Sequence, residues 1–78
     1  MTHSTTLDVR GMTCPLPVLK ANKALRALPP GATLAVLATD PAAVQDFHAY
    51  VQETGHELLG WMQEEGGFRF VLRRREAA

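Results

Sequence analysis

The sequence contains one cysteine, and this scarcity excludes several kinds of chemistry. With Cys14 as its sole thiol, the 78-residue chain cannot form an internal disulfide, and it lacks the second cysteine that a dithiol oxidoreductase needs. Small secreted domains usually depend on several disulfides, so we expect a cytoplasmic protein. Cys14 and the scattered His3, His48 and His56 do not make the four-ligand set of a structural zinc site. We therefore expect no metal and no cofactor.

Net charge and long apolar runs are missing as well. Eight acidic residues balance eight lysines and arginines, so the formal charge at pH 7 is zero. Nonspecific nucleic-acid binding depends on neutralising phosphates, so we do not expect direct nucleic-acid binding as the main activity. No stretch approaches the roughly eighteen apolar residues of a membrane span. The first five residues lack the basic region and apolar run of a signal peptide.

The periodic segments that are present predict one domain, residues 1–78, with a core from about residue 6 to residue 75. Alternating residues predict strands, and apolar residues at three- and four-residue steps predict helices. The predicted order is β-α-β-α-β-β, over Thr6–Arg10, Pro15–Leu28, Thr33–Thr39, Pro41–Thr54, His56–Gln63 and Phe68–Arg74. Two glycines between the last two strands predict a hairpin. A parallel crossover joins the first two strands. The result is an α+β two-layer sandwich, in which two helices cover one face of a mixed four-stranded sheet.

The same periodicity predicts which side chains point inward. The buried stripes on the two helices and the core face of the last strand comprise Val18, Ala21, Leu25, Leu28, Val44, Phe47, Val51, Phe68, Phe70 and Leu72. Tyr50 is expected at the edge of its stripe, and Gly55 is expected to end the second helix. Trp61 is expected to pack in the core or at the sheet edge.

The stretch Thr13–Pro17, Thr-Cys-Pro-Leu-Pro, joins the first strand to the first helix. A residue before proline is pushed away from helical geometry, so Cys14 should lie just before the helix, with Pro15 at its first position. The positive end of a helix favours a thiolate over a thiol. We expect the backbone N–H of Leu16 to contact the sulfur, and cations nearby in sequence to assist it: Arg10, Lys20 and Lys23. The prediction is an exposed thiol that is more acidic than a free cysteine.

This local chemistry leaves alternatives open. A single acidic thiol suits a carrier that holds a group on sulfur and passes it on, because no spacing indicates a catalytic base. Free cysteines are also among the most buried residue types, so Cys14 as a small structural hydrophobe is the competing interpretation. Lys20 and Lys23 predict either a basic docking surface for an acidic partner or an ordinary solvated helix face.

Asp40 follows the second strand, as Cys14 follows the first. The carboxyl ends of parallel strands meet at one edge of a sheet, so we expect Asp40 near Cys14. Its expected role is to cap the second helix, since a carboxylate would oppose ionisation of the thiol.

The segment Leu7–Val18 resembles the signature of the TusA/SirA-like sulfur carrier family, which has a Cys-Pro-x-Pro motif just after its first strand. The resemblance continues through Leu28–Gly31, Thr39–Pro41 and Phe68–Phe70, and it covers residues 6–75. It implies a sulfur carrier that holds sulfane sulfur as a persulfide on Cys14. The donor would be a cysteine desulfurase or a rhodanese-like protein, and the acceptor a cysteine of a second protein.

The resemblance also implies a small shuttle without a deep pocket, which we expect to be a monomer. Thr13, Pro15, Leu16 and Pro17 would frame the thiol. Its destination is open among tRNA thiolation, molybdenum-cofactor supply and sulfur oxidation, because position 16 is Leu where some tRNA-pathway members carry an acidic residue. Whether such a carrier counts as an enzyme is open too.

Two other classes of function stay in competition with the carrier. One is a non-enzymatic interaction or regulatory module, with Cys14 structural or redox-sensing. The other is a small RNA-binding domain that uses the basic residues near the C-terminus: Arg69, Arg73, Arg74 and Arg75.

Overall fold

The fold follows the predicted order of strands and helices. A computed structural model describes residues 4–76. It contains β1 (Ser4–Asp8), α1 (Leu16–Arg26), β2 (Thr33–Ala38), α2 (Ala42–Thr54), β3 (Glu57–Glu64) and β4 (Gly67–Arg73). No helix in residues 4–76 is long and apolar enough to cross a membrane.

The four strands form one mixed sheet in the order β1-β2-β4-β3. β1 and β2 are parallel, from the pair Ser4 and Thr33 to the pair Asp8 and Leu37, whereas β4 is antiparallel to both β2 and β3. β4 therefore occupies a central position, and β3 lies at an edge with a register shift between Leu58 and Gly60. The parallel β1–β2 pair brings the loops before α1 and α2 to the same end of the sheet.

Both helices pack on one face of this sheet and share one core with it. The buried residues that form this core are Val9, Ala21, Leu25, Leu34, Val36, Ala38, Ala43, Phe47, Tyr50, Phe70 and Leu72. Alternate residues of β2 contribute, as expected when one face of a strand is covered by helices. The predicted α+β two-layer arrangement is confirmed. The predicted inward residues Val18, Leu28, Val44, Val51 and Phe68 are half-buried against this core.

Tyr50 differs from its prediction, because it is buried and does not lie at the edge of the helical stripe. Its hydroxyl donates a hydrogen bond to Oδ1 of Asn22 on α1, at 2.9 Å. A tyrosine is buried readily when its hydroxyl finds a partner. That partner is 28 residues away in sequence, so the helical pattern alone did not reveal it.

The bounds of all six elements differ by one or two residues from the predicted ranges. β1 spans Ser4–Asp8 because Arg10 turns back, donating its backbone N–H to Oδ1 of Asp8 at 3.0 Å. α1 starts at Leu16, one residue after the predicted start, since Pro15 has non-helical backbone angles. α2 starts at Ala42 and ends before Gly55, whose φ of 81° and N–H bond to the Val51 carbonyl confirm the predicted helix end.

Gly67 begins β4 in close contact with the end of β2. The hairpin turn contains only Glu65 and Gly66, so it is tighter than the predicted four-residue connection. A Cβ atom at Gly67 would lie 2.4 Å from the carbonyl oxygen of Ala38. Glycine is therefore required here for the two backbones to approach.

Trp61 lies on the edge strand β3 and is 43% exposed. Its ring stacks on Phe70 with centroids 6.2 Å apart, and His48 of α2 meets it edge-on at 6.4 Å. This is the sheet-edge packing predicted for the tryptophan.

Candidate functional site

Cys14 lies on the turn between β1 and α1, and its side chain is exposed. Its peptide bond to Pro15 is cis. The backbone N–H of Leu16 donates to the carbonyl of Thr13 at 2.9 Å. The prediction that this N–H would contact the sulfur is therefore wrong, because the turn before the helix already uses it.

The Cys14 turn is held against the loop that follows β2. The N–H of Gly11 donates to Oγ1 of Thr39 at 2.9 Å, and the N–H of Cys14 donates to Oδ2 of Asp40 at 2.7 Å. The second carboxylate oxygen, Oδ1, accepts the N–H of Ala42 at 3.0 Å in the first turn of α2. These two backbone N–H groups lower the pKa of the Asp40 carboxyl. Asp40 thus lies beside Cys14 and caps α2, both as predicted.

A shallow groove of about 210 Å³ between α1 and α2 exposes the thiol on one side. On the α1 side it is lined by Cys14, Pro15 and Val18. On the α2 side it is lined by Asp46, Ala49, Tyr50 and Glu53. The α2 residues follow three- and four-residue steps, so they occupy one face of the helix. That spacing is visible in the sequence, and it could have indicated that Asp46 and Glu53 share a surface.

The carboxylates of this region change the acidity of Cys14. Asp46, which lines the same groove, has the largest influence and raises the pKa of the Cys14 thiol; partial desolvation and the charge of Asp40 raise it further. The prediction that Cys14 is more acidic than a free cysteine is therefore wrong. The carbonyl of Thr13 accepts the Leu16 N–H, which was the helix-end donor expected to stabilise a thiolate. The negative charge of Asp46 on α2 also disfavours a thiolate at Cys14.

The other predicted site residues surround the thiol at different depths. Pro17 is buried, whereas Thr13, Pro15 and Leu16 are exposed. Leu16 is 45% exposed, as befits a residue that could meet a partner surface. Leu19, one turn further along α1, is exposed to a similar degree and was not singled out from the sequence.

The three predicted docking cations do not line the groove. Lys20 and Lys23 are exposed on α1. Arg10 pairs with Asp8, with Nη2 and Oδ2 2.7 Å apart, and this pairing lowers the pKa of Asp8 to about 2. The positive charge of Arg10, which was expected to assist the thiol, is therefore paired with Asp8.

The C-terminal arginines are largely engaged within the chain. Arg69 pairs with Glu64 at 3.2 Å and Arg73 with Glu57 at 3.6 Å, while Arg74 donates to the carbonyl of Leu28. These pairs reduce the charge that an RNA-binding surface would need.

Among residues 4–76, no group of three His, Cys, Asp or Glu side chains is placed to hold a metal ion. His3 lies outside the described residues.

Residues 4–76 thus form a two-layer α+β domain with an exposed thiol on the turn between β1 and α1. The family model described as sulfurtransferase TusA matches residues 5–74. The sulfur carrier protein TusA of Allochromatium vinosum is 46% identical over 68 residues, which cover 87% of this chain and 90% of that protein. The corresponding protein of Pseudomonas entomophila is 40% identical over 73 residues, covering 94% and 91%.

A solved structure supports the same assignment. The crystal structure of a SirA-like protein from Desulfitobacterium hafniense superposes with a TM-score of 0.80 at 26% identity, covering 92% of this chain and 99% of that one. The chain described here belongs to the TusA family.

Proposed function

We propose that this protein is a sulfur carrier that holds sulfane sulfur as a persulfide on Cys14 and relays it from a donor protein to an acceptor protein. The observation that supports this most is the exposure of the only cysteine, within Thr-Cys-Pro-Leu-Pro, in a chain of the TusA family. The names of the TusA relatives, sulfur carrier proteins, point the same way.

The chemistry requires one thiol and no cofactor. The Cys14 thiolate attacks the outer sulfur of a donor persulfide, R–S–SH; a new S–S bond forms on Cys14 and the donor S–S bond breaks. The proton lost from Cys14 is balanced by the one that the departing donor thiolate gains, so Cys14–SH and R–S–SH become Cys14–S–SH and R–SH. The acceptor cysteine then repeats the attack on the outer sulfur.

The surroundings of Cys14 suit a shuttle that is covered by its partners. The groove is shallow, and a cargo of one sulfur atom needs no enclosed pocket. Leu16 offers an apolar contact next to the thiol, and Lys20 and Lys23 are exposed for an acidic donor or acceptor. An exposed free thiol fits a monomer in a reducing compartment such as the cytoplasm. The donor would be a cysteine desulfurase or a rhodanese-like protein.

Three destinations for the sulfur remain in this proposal: tRNA thiolation, molybdenum-cofactor supply and sulfur oxidation. Purified acceptor proteins from each pathway, offered to persulfidated carrier in parallel, would distinguish them. The acceptor of the native pathway should remove the outer sulfur fastest.

Intact-protein mass spectrometry after incubation with a cysteine desulfurase and cysteine tests the proposal. We expect a gain of one sulfur atom that a reductant reverses and that Cys14→Ser abolishes. No gain with several active desulfurase and rhodanese donors would overturn the carrier function and favour the interaction-module alternative, in which Cys14→Ser retains biological function.

A further inference from the structure

Asp46 is the acidic residue most directly associated with the thiol. It lies in the second turn of α2 and lines the same groove as Cys14. The Cys14 backbone is tied through Asp40 to the first turn of the same helix, at 2.7 Å and 3.0 Å. The Cys14 turn and the helix that carries Asp46 are therefore held by one connected framework, and both residues line the same groove.

The other titratable groups near Cys14 also come from α2 and the loop before it. Glu53 and Tyr50 line the groove from α2, and Asp40 accepts the backbone N–H of Cys14. The residues that line it from the α1 side, Pro15 and Val18, are uncharged. In the described part of the chain, the side chains that line the groove include carboxylates and no cation, so nothing in it compensates a thiolate.

We propose that Asp46 is a positioning residue of the carrier site, whose carboxylate shares the groove with the empty Cys14 and favours its neutral thiol over the thiolate. This proposal rests on the carrier function proposed above, and it adds a residue that regulates the reactivity of the empty thiol. Thiolates are the reactive form of cysteine toward oxidants, disulfides and alkylating agents. The free carrier consequently reacts slowly with molecules that it meets between its partners.

The Asp46 carboxylate also affects the rate of sulfur loading, while the bonds and protons exchanged in that step stay the same. Attack on the donor persulfide requires the S–H bond of Cys14 to break first, and the proton ends on the donor sulfur that leaves. With the negative charge of Asp46 in the same groove, that ionisation is disfavoured in the free carrier. A donor or acceptor whose surface carries a cation opposite Asp46 would reverse this effect in the complex.

The alkylation of Cys14 by iodoacetamide, a neutral reagent, measures this control directly. Rates are followed by mass spectrometry from about pH 6 to about pH 10, which spans the usual thiol pKa. Asp46→Asn keeps the size of the side chain and removes its charge, so we expect the midpoint of its profile at lower pH. A tenfold gain in the acidity of the thiol gives about ten times more thiolate at neutral pH and about threefold lower nucleophilicity, so the alkylation rate should rise about threefold.

Glu53→Gln is the matched control, because it removes one negative charge from the same groove at a residue that is not among those raising the pKa of the Cys14 thiol. Its midpoint should move much less. Asp46→Ser provides a second variant should Asp46→Asn fail to fold, and circular dichroism checks both. An unmoved midpoint in the folded Asp46 variants, or an equal change in Glu53→Gln, would overturn the proposal. So would a rate change that is uniform at all pH values, because that indicates altered access only.

The outcome is separable from that of the carrier function. Alkylation needs no donor protein, so a lower midpoint supports the role of Asp46 even if no donor loads the wild-type protein. Conversely, normal sulfur loading with an unmoved midpoint would leave the carrier function and remove the role of Asp46.

Discussion

The two strand-to-helix junctions of this protein are built alike and used differently. In each, a proline directly precedes the first helical residue: Pro15 before Leu16 and Pro41 before Ala42. The residue before the proline is Cys14 in one junction and Asp40 in the other. Both oxygens of Asp40 accept backbone N–H groups, whereas the Cys14 side chain is exposed and accepts none of the N–H groups that begin α1.

The Asp40 junction therefore stabilises the structure, whereas the Cys14 junction presents the side chain proposed to carry sulfur. Asp40 fixes the start of α2 and also the backbone of Cys14. Because the Cys14 main chain is held from the side, its sulfur is available for a partner. A reactive residue that also capped its own helix would have to give up that bond in order to react.

Cys14→Ser should show the largest difference between the roles of the two junctions. We expect total loss of sulfur loading, because the nucleophilic sulfur is gone. We expect no measurable change in the thermal unfolding midpoint, since the exposed side chain does not cap α1. Mass spectrometry and calorimetry check the two halves. A marked fall in the midpoint would show that Cys14 is structural.

Gly67→Ala should disturb Ala38 and Thr39, the two residues that precede Asp40 at its junction. The new methyl group would meet the Ala38 carbonyl at 2.4 Å and the Thr39 side chain at 3.3 Å. We expect a loss of about 1–3 kcal/mol in the free energy of unfolding, measured in urea. Gly60→Ala is the control, because a Cβ atom there meets nothing within 4 Å and its φ is not positive. Equal losses in both variants would contradict the steric explanation.

Asp40→Asn should weaken the tie between the junctions in a pH-dependent way. The N–H groups of Cys14 and Ala42 bond to different oxygens of Asp40, and in asparagine an NH2 donor replaces one of these oxygens, so one of the two bonds is lost. In the wild-type protein the pKa of Asp40 is lowered from its ordinary value of 3.8. The folded state therefore favours the carboxylate, and this stabilisation is fully present above that value and is lost as the pH falls through the lower folded pKa.

The corresponding measurement is thermal unfolding of the wild type and Asp40→Asn from neutral pH downward. The variant should unfold at a lower temperature at neutral pH, and the difference should shrink in acid. A difference that is constant with pH would argue that the charge of Asp40 is not what holds the Cys14 turn.

Thr39→Val should have the smallest effect. It removes the hydroxyl that accepts the Gly11 N–H at 2.9 Å, yet the Gly11 backbone is exposed and can bond to water. We expect a loss of about 0.5–1 kcal/mol in the free energy of unfolding and unchanged sulfur loading. Impaired loading in this folded variant would mean that the Gly11 turn also positions the thiol.

Local signals in the sequence were sufficient for the elements and for part of the site. The Pro29–Gly31 break and Gly55 locate the helix ends, because proline and glycine act within a few residues. The proximity of Asp40 to Cys14 followed from one topological rule for parallel strands. The Cys-Pro-x-Pro resemblance led to the family that the comparisons confirm.

The acidity of Cys14 was not predictable from the same signals. The helix-end effect concerns only α1, whereas the decisive carboxylate lies 32 residues later, on α2. Which face of α2 meets Cys14 depends on how the two helices pack. The burial of Tyr50 was missed for the same reason, because its partner Asn22 lies on the opposite helix.

The position of Trp61 determines what intrinsic fluorescence can report about this protein. The only tryptophan stacks on Phe70 and meets His48, and it is not among the residues that line the Cys14 groove. Its emission should respond to unfolding and to separation of β3 from α2, while persulfide formation on Cys14 should leave it nearly unchanged. Fluorescence is therefore a suitable reporter of folding in variants of the Cys14 site, and an added probe is needed to observe sulfur arriving there.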